Sequence, residues 1–93
     1  MNISALLEQT AQRLPDHPAV TQDGRSLTYR QLNGDVAAFA GALRGHFGLA
    51  KGDRVALAMD NSIELLLALF AIWRAGLVAV PMNAKLHGRE LLD

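Results

Sequence analysis

Two short runs constrain this chain more than anything else in it. Residues 55–59, Val-Ala-Leu-Ala-Met, and residues 77–80, Leu-Val-Ala-Val, are apolar at every position. Successive side chains of a strand point to opposite faces, so a run without alternation is apolar on both. Such strands belong inside a sheet covered on both sides. Between the runs lie a polar stretch, Asp60-Asn61-Ser62, and a long apolar segment that closes on Arg74, Ala75 and Gly76. Asn61 with Glu64 three residues later, or Ser62 itself, caps a helix over residues 63–75. Glu64 falls near the positive end of that helix and Arg74 near the negative end, as the helix dipole favours. Strand, capped helix and strand form a βαβ unit, which predicts parallel strands joined by a right-handed connection.

The residues before this unit carry helix and hairpin signals. A stripe at Ile3, Leu6, Leu7, Ala11 and Leu14 predicts a helix over residues 3–14, capped by Asn2 or Ser4 and stopped by Pro15. Two prolines make residues 15–18 a turn. Residues 19–22 and 25–27 are expected to be short strands around Asp23-Gly24, a dipeptide that favours the positive backbone angles of a tight hairpin. Thr28 and Gln31 form a capping box for a second helix, with Leu32, Val36, Phe39, Ala40, Leu43 and Phe47 on its buried face. Gly48 suits the left-handed position after the last turn, Leu49 is placed to pack back, and Lys51-Gly52-Asp53 turns into the first strand of the βαβ unit. Residues 88–93 read as the opening of another helix with no stop signal, so the chain is expected to be truncated. The expected fold class is α/β: an N-terminal helix, a short β-hairpin, a long helix, then a right-handed parallel βαβ unit, as a fragment of a larger layered α/β domain.

Composition removes several function classes. Nine basic and nine acidic residues give a formal charge of zero, with no basic stripe to track nucleic acid. The absence of cysteine removes disulfides and thiolate metal sites. The N-terminus lacks a basic segment followed by an apolar core, so it does not read as a signal peptide and the cytoplasm is the expected compartment. Residues 63–82 are interrupted by Glu64, Arg74, Gly76 and Pro81, and a transmembrane span needs about 20 mostly apolar residues. No transmembrane segment is expected.

Isolated motifs for chemistry are sparse. There is no Gly-x-x-x-x-Gly-Lys-Ser/Thr loop and no Gly-x-Gly-x-x-Gly after a strand. The spacing of Gly41, Gly45, Gly48 and Gly52 suits a helix surface and its exit. His17, His46 and His87 form no ligand cluster and read as solvated loop residues. Ser62 lacks the flanking glycines of a nucleophile elbow and reads as a helix cap. Leu66, Phe70 and Trp73 read as core. The stretches Asp60-Asn61-Ser62 and Met82-Asn83-Ala84-Lys85 follow the carboxyl ends of the two strands, where open parallel sheets bind ligands.

Taken in order, the pieces resemble a known family. His17-Pro18-Ala19-Val20, then Asp23-Gly24-Arg25-Ser26-Leu27-Thr28-Tyr29-Arg30-Gln31-Leu32-Asn33, is similar to the opening of adenylate-forming, AMP-binding enzymes. Lys51-Gly52-Asp53-Arg54-Val55-Ala56-Leu57, Asn61-Ser62-Ile63-Glu64, Arg74-Ala75-Gly76-Leu77-Val78-Ala79-Val80-Pro81-Met82-Asn83 and Lys85-Leu86-His87-Gly88-Arg89-Glu90-Leu91 continue it across nearly the whole chain. The segment around Pro81 and Lys85 looks more like CoA ligases for fatty or aromatic acids than like peptide-synthetase domains. Two local departures stand out: residues 45–49 are one residue longer than usual, and His87-Gly88 replaces the common Thr-Pro or Ser-Pro.

The resemblance implies that residues 1–93 are the N-terminal part of a large adenylation domain. The parent would be an acyl-CoA synthetase, using ATP, magnesium and CoA on a carboxylic acid. The family's Ser/Thr/Gly-rich phosphate loop, adenine and ribose contacts, hinge and catalytic lysine would lie beyond position 93. The segment alone is therefore expected to be structural and inactive, with no catalytic or metal-binding residue and no bound cofactor. Lys85 is the one residue the resemblance carries over, as a contact near the nucleotide phosphates of CoA; a solvated lysine is the other reading. A free-standing α/β interaction module is the alternative for the chain as a whole. The surplus of apolar surface on the strands also predicts that the segment self-associates.

Overall fold

The computed structural model describes residues 3–58 and 62–82. The element order is α1 (Ile3–Arg13), β1 (Pro18–Gln22), β2 (Arg25–Thr28), α2 (Tyr29–Gly45), β3 (Arg54–Ala58), α3 (Ile63–Arg74) and β4 (Val78–Met82). β1 and β2 form an antiparallel hairpin, and β3 and β4 form a parallel pair joined through α3. The expected α/β order is present throughout. The expectations at Asn2, Met59, Asp60, Asn61 and residues 83–93 lie outside the described residues.

Local chemistry explains the boundaries. Asp23 and Gly24 both have positive φ, +52° and +76°, as a two-residue hairpin turn requires. The Thr28 hydroxyl accepts from the Gln31 amide at 3.1 Å, and the Thr28 amide donates to the Gln31 side chain at 2.9 Å, completing the capping box. At the far end of α2, the Leu49 amide reaches back to the Leu43 carbonyl at 3.1 Å across Gly48, whose φ is +68°. Leu49 thereby packs against the core, as its position predicts.

α1, α2 and α3 enclose the core. Its buried residues are Leu7 from α1, then Leu32, Val36, Ala40 and Leu43 from α2. Ala71, Ile72, Ala75 and Leu77 join them from α3 and its exit. The sheet lies on this cluster through one face only. Val55, Leu57 and Ala79 pack against the core, whereas Ala56, Ala58, Val78 and Val80 are exposed. The register pairs Ala56 with Val80 and Arg54 with Val78, so these exposed residues share the opposite face.

That half-covered sheet departs from the two-sided burial expected of non-alternating strands. The residues are apolar on both faces, but the described elements supply only one covering layer. Three smaller departures concern the helices and β4. Phe39 and Phe47 are 40% and 65% exposed, because the α2 stripe that reaches α3 is Leu32, Val36, Ala40 and Leu43. On α1 the buried residues are Ser4, Leu7 and Ala11, leaving Ile3, Leu6 and Leu14 exposed. Leu77 precedes β4 and is buried in the core, its amide bonded to the Ile72 carbonyl at 2.9 Å.

Candidate functional site

The parallel register pairs Ala58 with Met82, so β3 and β4 end side by side. The carboxyl ends of parallel strands are where α/β sheets bind ligands. Of the polar stretches foreseen there, Asp60, Asn61, Asn83 and Lys85 lie outside the described residues. Among the sequence candidates, Ser62 is described, and its hydroxyl accepts from the Leu65 amide at 3.1 Å. That bond makes it the N-cap of α3 rather than a nucleophile. His17 and His46 are exposed, and His46 stacks edge-on against Phe47 with centroids 5.0 Å apart. His87 lies outside the described residues. Phe70 packs on the core and meets Trp73 edge-to-face at 5.6 Å, while Leu66 is half-buried.

The hairpin fastens the start of α3 beside this edge. The Gln22 side-chain oxygen accepts from the Ile63 amide at 3.1 Å, satisfying one of the helix's unpaired N-terminal donors. One strand along, the Arg25 guanidinium pairs with the Glu64 carboxylate. The Arg25 hydrogen bond, followed by Glu64's own backbone amide, holds that carboxyl below its usual range. Glu64 is therefore an anion at neutral pH and unsuited to act as a general acid. This polar clip was only half legible: Glu64 at a helix start is a sequence signal, but its partner lies 39 residues away.

A second polar center joins the three helices. The Arg74 Nε donates to the Ser4 hydroxyl at 2.6 Å, one Nη to the Ser4 carbonyl at 3.2 Å, and the other to the Asn33 carbonyl at 3.4 Å. Its guanidinium also pairs with Glu8 at 3.2 Å. Arg74, Glu8, Gln12, Arg30 and Asn33 line an open groove of about 560 Å3 between α1 and α2. Because the Arg74 donors are spent on backbone and side-chain acceptors within the protein, the center reads as a structural bolt. Sequence reasoning assigned Arg74 only to the helix dipole.

Among the described residues, no three His, Cys, Asp or Glu side chains come together to hold a metal ion. Nor is any helix among them long and apolar enough to cross a membrane. The identity of the chain is decided by comparison instead: residues 7–93 match the family described as AMP-binding enzyme. The chain belongs to the AMP-binding enzyme family.

Members of that family similar to it include the long-chain-fatty-acid–CoA ligase of Haemophilus influenzae. The two are 42% identical over 90 residues, 97% of this chain and 16% of the ligase. The 3-hydroxybenzoate–CoA/4-hydroxybenzoate–CoA ligase of Thauera aromatica is 43% identical over 82 residues, 88% of this chain and 16% of that ligase. In three dimensions the chain is similar to the N-terminal subdomain of Klebsiella oxytoca NpsA, solved with anthranilyl-AMSN. The TM-score is 0.85 at 33% identity, covering 98% of this chain and 24% of the NpsA chain. The chain thus spans about a sixth of the length of the two ligases.

Proposed function

We propose that residues 1–93 are the N-terminal part of the large domain of an ATP-dependent acyl-CoA ligase. In the whole enzyme, a substrate carboxylate oxygen attacks the α-phosphorus of ATP and expels pyrophosphate, giving an acyl-adenylate. The CoA sulfur then attacks the acyl carbon and expels AMP. The observation that carries this reading is similarity along nearly the whole chain to CoA ligases for both fatty and hydroxybenzoic acids. Fatty or aromatic acids are accordingly the substrate class assigned, and the cytoplasm the compartment.

Within that enzyme the segment has a structural role: its three-helix core carries β3 and β4 and fixes where their carboxyl ends emerge. ATP, magnesium and CoA belong to the whole enzyme in this reading, and none is held by the segment alone. Lys85, three residues past β4, is assigned to the CoA nucleotide phosphates, for which a compact ammonium charge is suited. Left without the rest of the domain, the segment self-associates through its surplus apolar surface.

Acid-dependent exchange of labelled pyrophosphate into ATP tests the reading. The protein encoded by the complete reading frame should catalyse exchange with a fatty or aromatic acid, and the 93-residue chain should give only the blank rate. A complete protein that ends at Asp93, or exchange by the short chain that is lost on mutating it, would overturn the proposal.

A further inference from the structure

One dipeptide of the chain carries a reactivity that the fold holds in check. Asn33 is followed by Gly34, whereas Asn2, Asn61 and Asn83 precede Ile3, Ser62 and Ala84. The backbone nitrogen after an asparagine can attack the side-chain amide carbon and close a cyclic imide. A side chain on the following residue obstructs that closure. Glycine has none, and it reaches backbone angles that other residues avoid. Asn33 is therefore the asparagine of this sequence most prone to lose its amide.

The structure places the pair where the ring does not close. Both residues lie within α2, so the Gly34 N–H is committed to the carbonyl four residues back. Helical backbone angles at Asn33 also keep its amide carbon out of that nitrogen's line of attack. The Asn33 carbonyl accepts from an Arg74 Nη at 3.4 Å, and Arg74 is itself tied to Ser4 and Glu8. One turn earlier, the Thr28–Gln31 capping box closes the start of the helix. The Asn33 Oδ1 is buried without a hydrogen-bond partner among the described residues, so no bond to that oxygen restrains the amide. Its restraint comes from the backbone.

We propose that Asn33–Gly34 is a latent deamidation site, gated by opening of the first turns of α2 and latched by Arg74. On opening, the Gly34 nitrogen gives up its proton and attacks Asn33 Cγ. The Cγ–Nδ2 bond breaks, and Nδ2 leaves as ammonia with that proton. Water then opens the imide at either carbonyl, giving aspartate or isoaspartate at position 33. Both products put a carboxylate in the groove that Glu8 and Arg74 line. Isoaspartate also lengthens the backbone by a carbon and turns the carbonyl that accepts from Arg74 into a free carboxylate. The step uses water alone and none of the enzyme's catalytic chemistry.

The test incubates the 93-residue chain at mildly alkaline pH, in buffer and in urea. Deamidation at each asparagine is followed by peptide mass. In urea, Asn33 should react roughly tenfold or more faster than Asn2, Asn61 or Asn83, since its neighbour alone lacks a side chain. In buffer it should react at least roughly tenfold more slowly than in urea, because a closed site reacts only through opening. Thr28→Ala frays the start of α2 and should raise the rate in buffer roughly fivefold, leaving the rate in urea unchanged. Arg74→Ala should raise it by roughly tenfold or more, again in buffer only. Gly34→Ala adds a Cβ where nothing lies within 4 Å, so the fold is kept. It should slow the reaction in urea to the rate of the other asparagines. Asn33 reacting no faster than those in urea would overturn the site. Equal rates at Asn33 in buffer and urea would overturn the gate, and a rate in buffer unmoved by Arg74→Ala would overturn the latch.

Discussion

The helical side of the molecule and its sheet use apolar residues in opposite ways. In α1 and α2 the buried residues recur on one stripe, and that stripe finds its partners among the three helices even though Leu6 and Phe39 beside it stay exposed. In β3 and β4 the apolar positions occupy both faces, and the three helices cover only one. A stripe that repeats every three or four residues tells where its partner lies inside the segment. A run with no repeat tells only that more partners are needed than the described elements supply.

The sharpest way to break that contrast is to truncate one apolar side chain on each side of the sheet. Ile72 is 1% exposed. Ile72→Ala should lower the unfolding free energy of the chain by about 2–4 kcal/mol, through lost burial and an unfilled cavity. Val80→Ala, on the outer face, should change it by no more than about 0.5 kcal/mol. Urea melts of the two variants compare them directly, and similar costs would show that the outer face is packed in the isolated chain.

Arg74 ties the helices that the contrast groups together. Arg74→Ala removes its bonds to Ser4 and Asn33 and leaves the buried Ser4 hydroxyl without that donor. The expected cost is about 2–3 kcal/mol by the same melts. Arg74→Lys should recover little of it, because one ammonium does not reproduce a guanidinium fork that reaches two helices. Full recovery with lysine would reduce the bolt to a simple charge effect.

The caps were the most legible part of the fold. Thr28, Gln31, Gly48 and Asp23-Gly24 act within a few residues of themselves, so their structural roles follow from short-range geometry alone. Ser62 as the α3 cap was foreseen for the same reason. Thr28→Ala should cost about 1 kcal/mol, measurable as a shift in urea midpoint with unchanged slope. What sequence could not supply were contacts between distant positions. Ser4 reads as a cap until Arg74, 70 residues on, is seen to bury it. Phe39 and Phe47 read as core because they lie beside and beyond the buried stripe, and only the packing against α3 shows where that stripe ends. At the candidate site, the edge where β3 and β4 end was legible from the βαβ pattern, and the Gln22 and Arg25 clip beside it was not.

The smallest expected effect concerns that clip. Glu64 has a folded pKa below its unfolded value because Arg25 favors the carboxylate. Its contribution to stability is therefore present above the unfolded pKa and is lost as pH falls through the lowered folded pKa. Arg25→Ala should flatten the acid limb of the stability profile slightly and leave neutral stability nearly unchanged, since both side chains are about half exposed, at 54% and 52%. An unaltered acid limb would remove the pair from any role in holding the hairpin to α3.

Light scattering of the 93-residue chain, from micromolar to millimolar concentration, tests most directly whether the sheet is left half-covered. The unaltered chain should gain mass with concentration and bind an apolar dye, weakly, because the face is too small for a firm dimer. With Val78→Asp and Val80→Asp together it should stay monomeric and dye-free, at the same helix content by circular dichroism. An unaltered chain that remains monomeric across the whole range and binds no dye would contradict the open face.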